Sequence, residues 1–286
     1  MTFRKALFSS TMPESEFTWP VTGVYRDYPA MAAEVNRVEP APRRVRGWLG
    51  GEQIFDTSRA RYVWEWPNYP QYYIPVGDIG ERFLIDEGRQ QQRQQGIARR
   101  FGLHAGGVQR PGAAWVFTDE AIEGISGTVR FRWDGLDAWY EEDEQIFVHP
   151  RNPYVRVDAL RSHRHVRVEL DGLTLAESQT PILVFETGLP TRYYLDRTDV
   201  ALEHLRQTDT QAACPYKGVT TGYWSFAPSG REPRAARKEH RDVAWCYDFP
   251  TRQLLPIAGL IAFYNEKVDL VVDGVRLERP RRDFVG

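Results

Sequence analysis

The chain has 286 residues, 42% of them hydrophobic and 13% aromatic, and a formal net charge of −2. That length exceeds one compact domain and leads to the expectation of two, while the near-neutral balance leaves no electrostatic footprint for nucleic acid or an anionic membrane. No apolar run is long enough to span a bilayer, and the start, Met1 to Ser9, lacks the apolar stretch of a signal peptide, so a cytoplasmic protein is expected. The two cysteines make neither a disulfide framework nor the paired spacing of a structural zinc site, so neither metal nor cofactor is expected.

Residues 1–42 carry Pro13, Pro20, Pro29, Pro40 and Pro42 with little periodicity. They read as an extended lead segment whose rings, Phe17, Trp19, Tyr25 and Tyr28, are pinned onto the first domain. The chain then repeats itself. Sliding residues 46–79 by 121 positions, without a gap, sets Arg46 on Arg167, Gly51 on Gly172, Thr57 on Ser178 and Glu65 on Glu186. Tyr72-Tyr73 fall on Tyr193-Tyr194, and Asp78-Ile79 on Asp199-Val200. Such agreement at polar and aromatic positions marks a tandem duplication. The expected domains are a first repeat over 43–160 and a second over 161–286.

Within the second copy the pattern is strand-like. Val166 to Leu170 alternates, Asp171-Gly172 signals a hairpin turn, and Leu173 to Glu177 continues beyond it. Ile182 to Phe185 and Thr191 to Leu195 are further strands. Asp199 is expected to cap a short helix from Val200 to about Gln207. Strands follow at Val219–Phe226, Asp242–Tyr247, Leu260–Tyr264 and in the hairpin Val268–Leu277. His163-Arg164-His165 reads as the surface linker between the repeats. The first copy keeps this order as far as the helix. Its residues 87–112, rich in Gln and Arg, then read as a polar helical insertion able to reach across as a lid, and strands return at 128–133 and 145–149.

The stretch Cys214-Pro215-Tyr216-Lys217-Gly218 sets a thiol, a phenol and an ammonium within five residues, in a turn marked by its Pro and Gly. Lysine is scarce: Lys5, Lys217, Lys238 and Lys267 are all that occur among 37 basic residues. The first copy offers Phe101 to Gly107 at the corresponding place, with neither cysteine nor lysine.

Glu186, the Tyr193-Tyr194 pair, Asp199, the Cys214–Gly218 turn, Tyr223-Trp224, Trp245-Cys246-Tyr247 and Phe263-Tyr264 together resemble the Domain of Unknown Function 427 family. The resemblance covers about 165–277 strongly and about 44–158 as a degenerate second copy. It implies a mainly β protein of two tandem β-tent-like domains with short helices, similar in fold to methionine sulfoxide reductase B and to the thalidomide-binding domain of cereblon. Relatives of that fold usually carry a four-cysteine zinc, which this sequence cannot build.

The candidate catalytic residues are Lys217, Glu186 and Cys214. Lys217 either holds an anionic group or forms a structural ion pair with Glu186 or Asp199. Glu186 ends an apolar run, a setting that suits proton transfer, although its twin Glu65 argues equally for a role in the fold. Cys214 is a candidate nucleophile or a small buried turn residue. Tyr193, Tyr216, Trp224, Trp245, Tyr247 and Tyr264 are the candidate substrate-binding rings. Alternation in Tyr223-Trp224 and Trp245-Cys246-Tyr247 cannot bury every ring on one face, so some are expected to line a second surface. The acidic run Glu141 to Glu144 reads as a solvated turn. The leading functional expectation is an enzyme acting on a small polar or anionic molecule, in a pocket of the second copy or between the two. The alternative is a non-catalytic small-molecule-binding module using the same pocket.

Overall fold

The computed structural model describes residues 24–25, 32–228 and 240–283; the side chains of Phe17, Trp19, Tyr25 and Tyr28 lie outside that set. Two mainly β domains follow one another, each made of a large and a small antiparallel sheet. In the first domain the large sheet runs, across its seven strands, Val38–Pro40, Arg61–Val63, Gln71–Pro75, Thr128–Phe131, Val108–Phe117, Gly96–Ala105 and Leu84–Arg93. Its small sheet runs Glu144–Ile146, Ala138–Glu141, Val45–Leu49 and Glu52–Thr57. The second domain repeats this order with Val157–Arg161, Ile182–Glu186, Arg192–Leu195, Ile261–Phe263, Ala244–Cys246, Gly222–Phe226 and Leu205–Thr208. Its small sheet is Val275–Arg276, Asp269–Val272, Val166–Leu170 and Leu173–Ser178.

The duplication extends to irregularities. A bulge falls at Gly47/Trp48 in one copy and at Val168/Glu169 in the other. An isolated bridge joins Phe55 to Ile79, and its counterpart joins Ala176 to Val200. Each pair keeps the sequence offset seen above. Bulges bend and twist a strand at one point, so both small sheets curl over their large sheets in the same way. The hairpin turn Asp171-Gly172 places both residues at positive φ, 49° and 79°, which Asp and Gly tolerate.

Three elements differ from expectation. Residues 87–112 are not helical: they belong to three long paired strands, Leu84–Arg93, Gly96–Ala105 and Val108–Phe117. Most of their Gln and Arg side chains lie on an exposed outer arm, with Gln95 buried and Arg93 and Arg100 partly so, and no apolar period marks them as strands. The expected helix after Asp199 is instead two short 3-10 turns, Arg197–Asp199 and Leu202–His204, followed by the edge strand Leu205–Thr208. Asp196 supplies the cap by accepting from the Thr198 amide, and Val200 is extended because it bridges to Ala176. Residues 162–165 lie inside the second domain, between its first two strands. The sheets also take in 38–40 and 157–161, so the chain joining them is residues 147–156.

The main core of each domain lies between its two sheets. Val45, Leu49, Phe55, Ile74 and Phe131 fill the first, and Val166, Leu175, Leu195, Phe226 and Phe263 the second. Each large sheet also buries part of its outer face. Val63, Tyr73, Ala98, Phe117 and Ile125 form that layer in the first domain; Tyr194, Tyr223, Trp245, Tyr247, Leu254 and Ile257 are prominent in the second. No helix among the described residues is long and apolar enough to cross a membrane.

Candidate functional site

Alternation along the strands of the second large sheet sorts its rings between two faces. Tyr193 and Trp224 point into the core between the sheets, packed with Leu183 and Phe263. Tyr194, Tyr223, Trp245 and Tyr247 point to the outer face, with Tyr264 packed against them. The six candidate rings therefore do not form one cup. On the outer face the Trp245 indole donates to the Tyr194 hydroxyl (3.2 Å), the Tyr223 and Tyr264 hydroxyls meet at 3.0 Å, and the Trp245 and Tyr264 rings meet tilted by 43° with centroids 4.3 Å apart.

The Cys–Lys turn closes over this layer as a small hairpin, Ala213–Cys214 paired with Gly218–Val219. Lys217 reaches inward and donates directly to the Glu186 carboxylate, with both side chains less than a tenth exposed. Its Nζ also lies 4.0 Å from the Cys214 Sγ. Of the two ion-pair partners considered, Glu186 is thus the one in contact. Burial opposes charge on Lys217, but the groups around it outweigh that penalty and hold its pKa above the ordinary lysine value. Burial pushes the Cys214 thiol up, with Lys217 only partly offsetting it. Cys214 is therefore a thiol at neutral pH, and the counter-charge that holds Lys217 is Glu186. Burial also pushes Tyr194 up to about 12. The three candidate catalytic residues are together, but the Lys217–Glu186 pair is largely buried and charge-balanced, while Cys214 keeps partial exposure.

Tyr216 points the other way. Its hydroxyl accepts from the Asn152 amide (2.9 Å), and Arg151 Nε donates to the Pro215 carbonyl (2.8 Å), so the turn is clamped to the segment joining the domains. From the second domain, Thr251 holds the same turn through the carbonyls of Tyr216 and Lys217. On this outer side a cleft of about 600 Å³ opens between the copies. Glu144, Gln145, Phe147 and Arg151 form one wall; Gly218 to Thr221 and Phe249 to Arg252 form the other. Phe249 is 84% exposed there. Arg151 is buried, and its Nη2 has no hydrogen bond, the Glu144 carboxylate stopping at 3.6 Å. Neither Arg151 nor Arg252 stands out in the sequence among so many arginines. The acidic run is also not wholly solvated. Glu141 is 3% exposed, accepts from the Tyr72 hydroxyl at 2.7 Å and pairs with Arg43.

In the first copy the counterpart of the Cys–Lys hairpin is not Phe101 to Gly107. The strand order makes Leu84–Arg93 and Gly96–Ala105 equivalent to Leu205–Thr208 and Gly222–Phe226, so the place of the hairpin is taken by the tight turn Gln94-Gln95. Glu65 occupies the place of Glu186 but takes another cation. Arg130 donates to it from Nε (3.0 Å) and Nη2 (3.2 Å), and Tyr73 donates at 3.0 Å. Tyr73 pairs across the sheet with Arg130, as Tyr194 does with Ala262, so the first copy carries an arginine where the second has an alanine. By the same register Trp115 answers to Trp245. Among the described residues no group of three His, Cys, Asp or Glu side chains could hold a metal ion.

A comparison with curated proteins finds no match to the chain. The Domain of unknown function (DUF427) family does match, over residues 37–142 and again over 158–274, ranges that hold all but the edge strands Glu144–Ile146 and Val275–Arg276 and the residue Val157 of the repeated sheets. Two copies of one architecture, each matched by the same family, mean that the chain belongs to the DUF427 family in a tandem form.

Proposed function

We propose that this protein is a small-molecule-binding module whose ligand, a small polar or anionic molecule, lies in the cleft between the two copies. The observation that carries the reading is Arg151. Its guanidinium is buried at the cleft wall, and one nitrogen has no hydrogen bond, since Glu144 and Glu141 stand 3.6 and 3.9 Å from the guanidinium, beyond hydrogen-bond distance; a ligand oxygen that approaches closer would complete it. Arg252 adds a second cation on the opposite wall, and exposed Phe249 adds a ring for a flat or apolar portion of the ligand. In this reading the Lys217–Glu186 pair shapes the turn that forms one wall. The enzyme reading stands second. It is favoured by the contact of Glu186, Lys217 and Cys214, and weakened by the burial and charge balance of the Lys217–Glu186 pair and by the upward push on the Cys214 thiol.

The test is a thermal-shift and calorimetric screen of small carboxylates and phosphate monoesters on the whole chain. At least one should bind saturably, and Phe249→Ala and Arg252→Ala, both at exposed positions, should each weaken it about tenfold, the scale of one lost ring contact in the first and of one lost charge-assisted contact in the second. Binding unchanged in both variants would overturn the cleft reading. Turnover of any bound compound that disappears in Glu186→Gln while binding persists would instead establish the enzyme reading.

A further inference from the structure

The two outer faces differ in charge. In the second copy one lysine meets one glutamate, and the pair is balanced. In the first copy Glu65 is already engaged by Arg130 and Tyr73 when a second guanidinium, Arg93, arrives. Arg93 sits at the end of the long strand Leu84–Arg93, where the second copy leaves its sheet to build the Cys–Lys hairpin. Its guanidinium lies 4.2 Å from the centroid of the Trp115 ring, and Arg130 lies 5.7 Å from the same ring. Arg93 Nε is buried without a hydrogen bond, and among the described residues no carboxylate reaches ion-pair distance of it. Burial pushes its pKa below the ordinary arginine value, the attraction of Glu65 being partly cancelled by repulsion from Arg130. The neighbouring Arg100 does not share this imbalance, since Glu87 lies 2.8 Å from its Nε. The face thus holds two cations against the single carboxylate of Glu65, beside a half-buried indole.

A buried charge without a counter-ion is unfavourable, and an arginine relieves it by recruiting an anion, because it does not give up its proton. We propose that the first copy carries its own anion site, formed by Arg93 and Arg130 over Trp115, for a compact oxyanion such as a phosphate or carboxylate group. Arg130 stays on Glu65 and contributes field, while Arg93, free to present its fork edge, makes the direct contacts. The site is separate from the cleft between the copies and stands whether or not the cleft reading does. Losing the second copy's hairpin is what makes it available. There the equivalent face is covered by Cys214 to Gly218, and the position of Arg130 is Ala262.

The experiment measures inorganic phosphate and formate binding to the whole chain by calorimetry and thermal shift, at constant ionic strength. Wild type should show a saturable site for at least one of them. Arg93→Met, which keeps an unbranched stem over Trp115, should weaken it at least tenfold; Arg93→Lys, which keeps the charge without the fork, should fall between. Arg252→Ala should leave this site unchanged, which separates it from the cleft. A purely structural Arg93 makes a different prediction: Arg93→Met would then lower the melting temperature. An anion site predicts that, without added anion, the variant melts at or above wild type. No saturable binding in wild type, binding unaffected by Arg93→Met, or a loss of stability in that variant with no loss of binding would each overturn the proposal.

Discussion

The scarce lysine is explained by a single contact. Lys217 enters from a turn and reaches Glu186 with its Nζ 4.0 Å from the Cys214 sulfur; a compact ammonium on an unbranched stem suits that approach better than a planar fork. In the first copy the cation comes from a neighbouring strand, where Arg130 lies alongside Glu65 and can pair through two nitrogens. Breaking a buried pair from one side leaves the other charge stranded. Lys217→Met is therefore expected to destabilise the chain by about 3–5 kcal/mol, whereas Lys217→Met combined with Glu186→Leu should recover most of that loss. Urea denaturation of the single and double variants measures both. A double variant as unstable as the single one would show that Lys217 acts through packing, not charge.

Between elements, the hairpin at Gly50-Gly51 of the small sheet meets the hairpin at Gly106-Gly107 of the large sheet. Gly50, Gly106 and Gly107 are all at positive φ, but their surroundings differ. A Cβ on Gly106 would enter the backbone of Gly50, while one on Gly107 would meet nothing within 4 Å. Gly107→Ala should therefore show only the backbone penalty, about 1–2 kcal/mol. Gly106→Ala should cost more than that, because two backbones must separate and the sheets lose their docking at that corner. Thermal unfolding of the two variants side by side is the check, and equal losses would mean that the hairpins do not bear on one another. The long exposed arm Leu84–Arg93 follows from the same architecture. Its outermost strand extends beyond the sheet core, so its side chains need not alternate, and a Gln-rich composition is compatible with a strand there.

For the molecule as a whole, residues 147–156 tie the two domains together and shape the cleft between them. His149 begins the tie, its ring stacked on Tyr69 at 3.6 Å and its Nδ1 2.7 Å from the Pro150 carbonyl. Burial lowers its pKa from 6.5 to about 4. The unfolded chain then takes up a proton near pH 6.5 that the folded chain refuses until about 4, so stability falls as pH drops through that window. The expected loss is on the order of 1–3 kcal/mol for a half-buried ring. Denaturant midpoints between pH 7 and 4 should drop more steeply for wild type than for His149→Phe, with the carboxylates common to both cancelling. Parallel curves would mean that the imidazole is solvated when folded.

The duplication, the β-rich class and the family were legible in the sequence because they rest on local signals. Asp-Gly turns, alternating strands and the gap-free agreement from Arg46 to Ile79 need no knowledge of distant contacts. So was the closeness of Cys214 and Lys217, which share one turn. Glu186 could be named as a partner, but Asp199 was as good a candidate until the fold set Glu186 against the ammonium. The two faces of the second large sheet were foreseen from alternation in Tyr223-Trp224 and Trp245-Cys246-Tyr247; which rings share a face with Lys217 depended on strand register. Past residue 93 the copies have different loop lengths, so Arg130 and Ala262 no longer sit at the common offset, and only cross-strand pairing shows their equivalence. A pocket between the copies was one of two alternatives, but the residues that line the junction cleft, the buried guanidinium of Arg151 and the excess charge at Arg93 carried no sequence mark. Burial and charge balance belong to neighbours brought in from far along the chain, and only the tertiary structure decides which guanidinium nitrogens are left without a hydrogen bond.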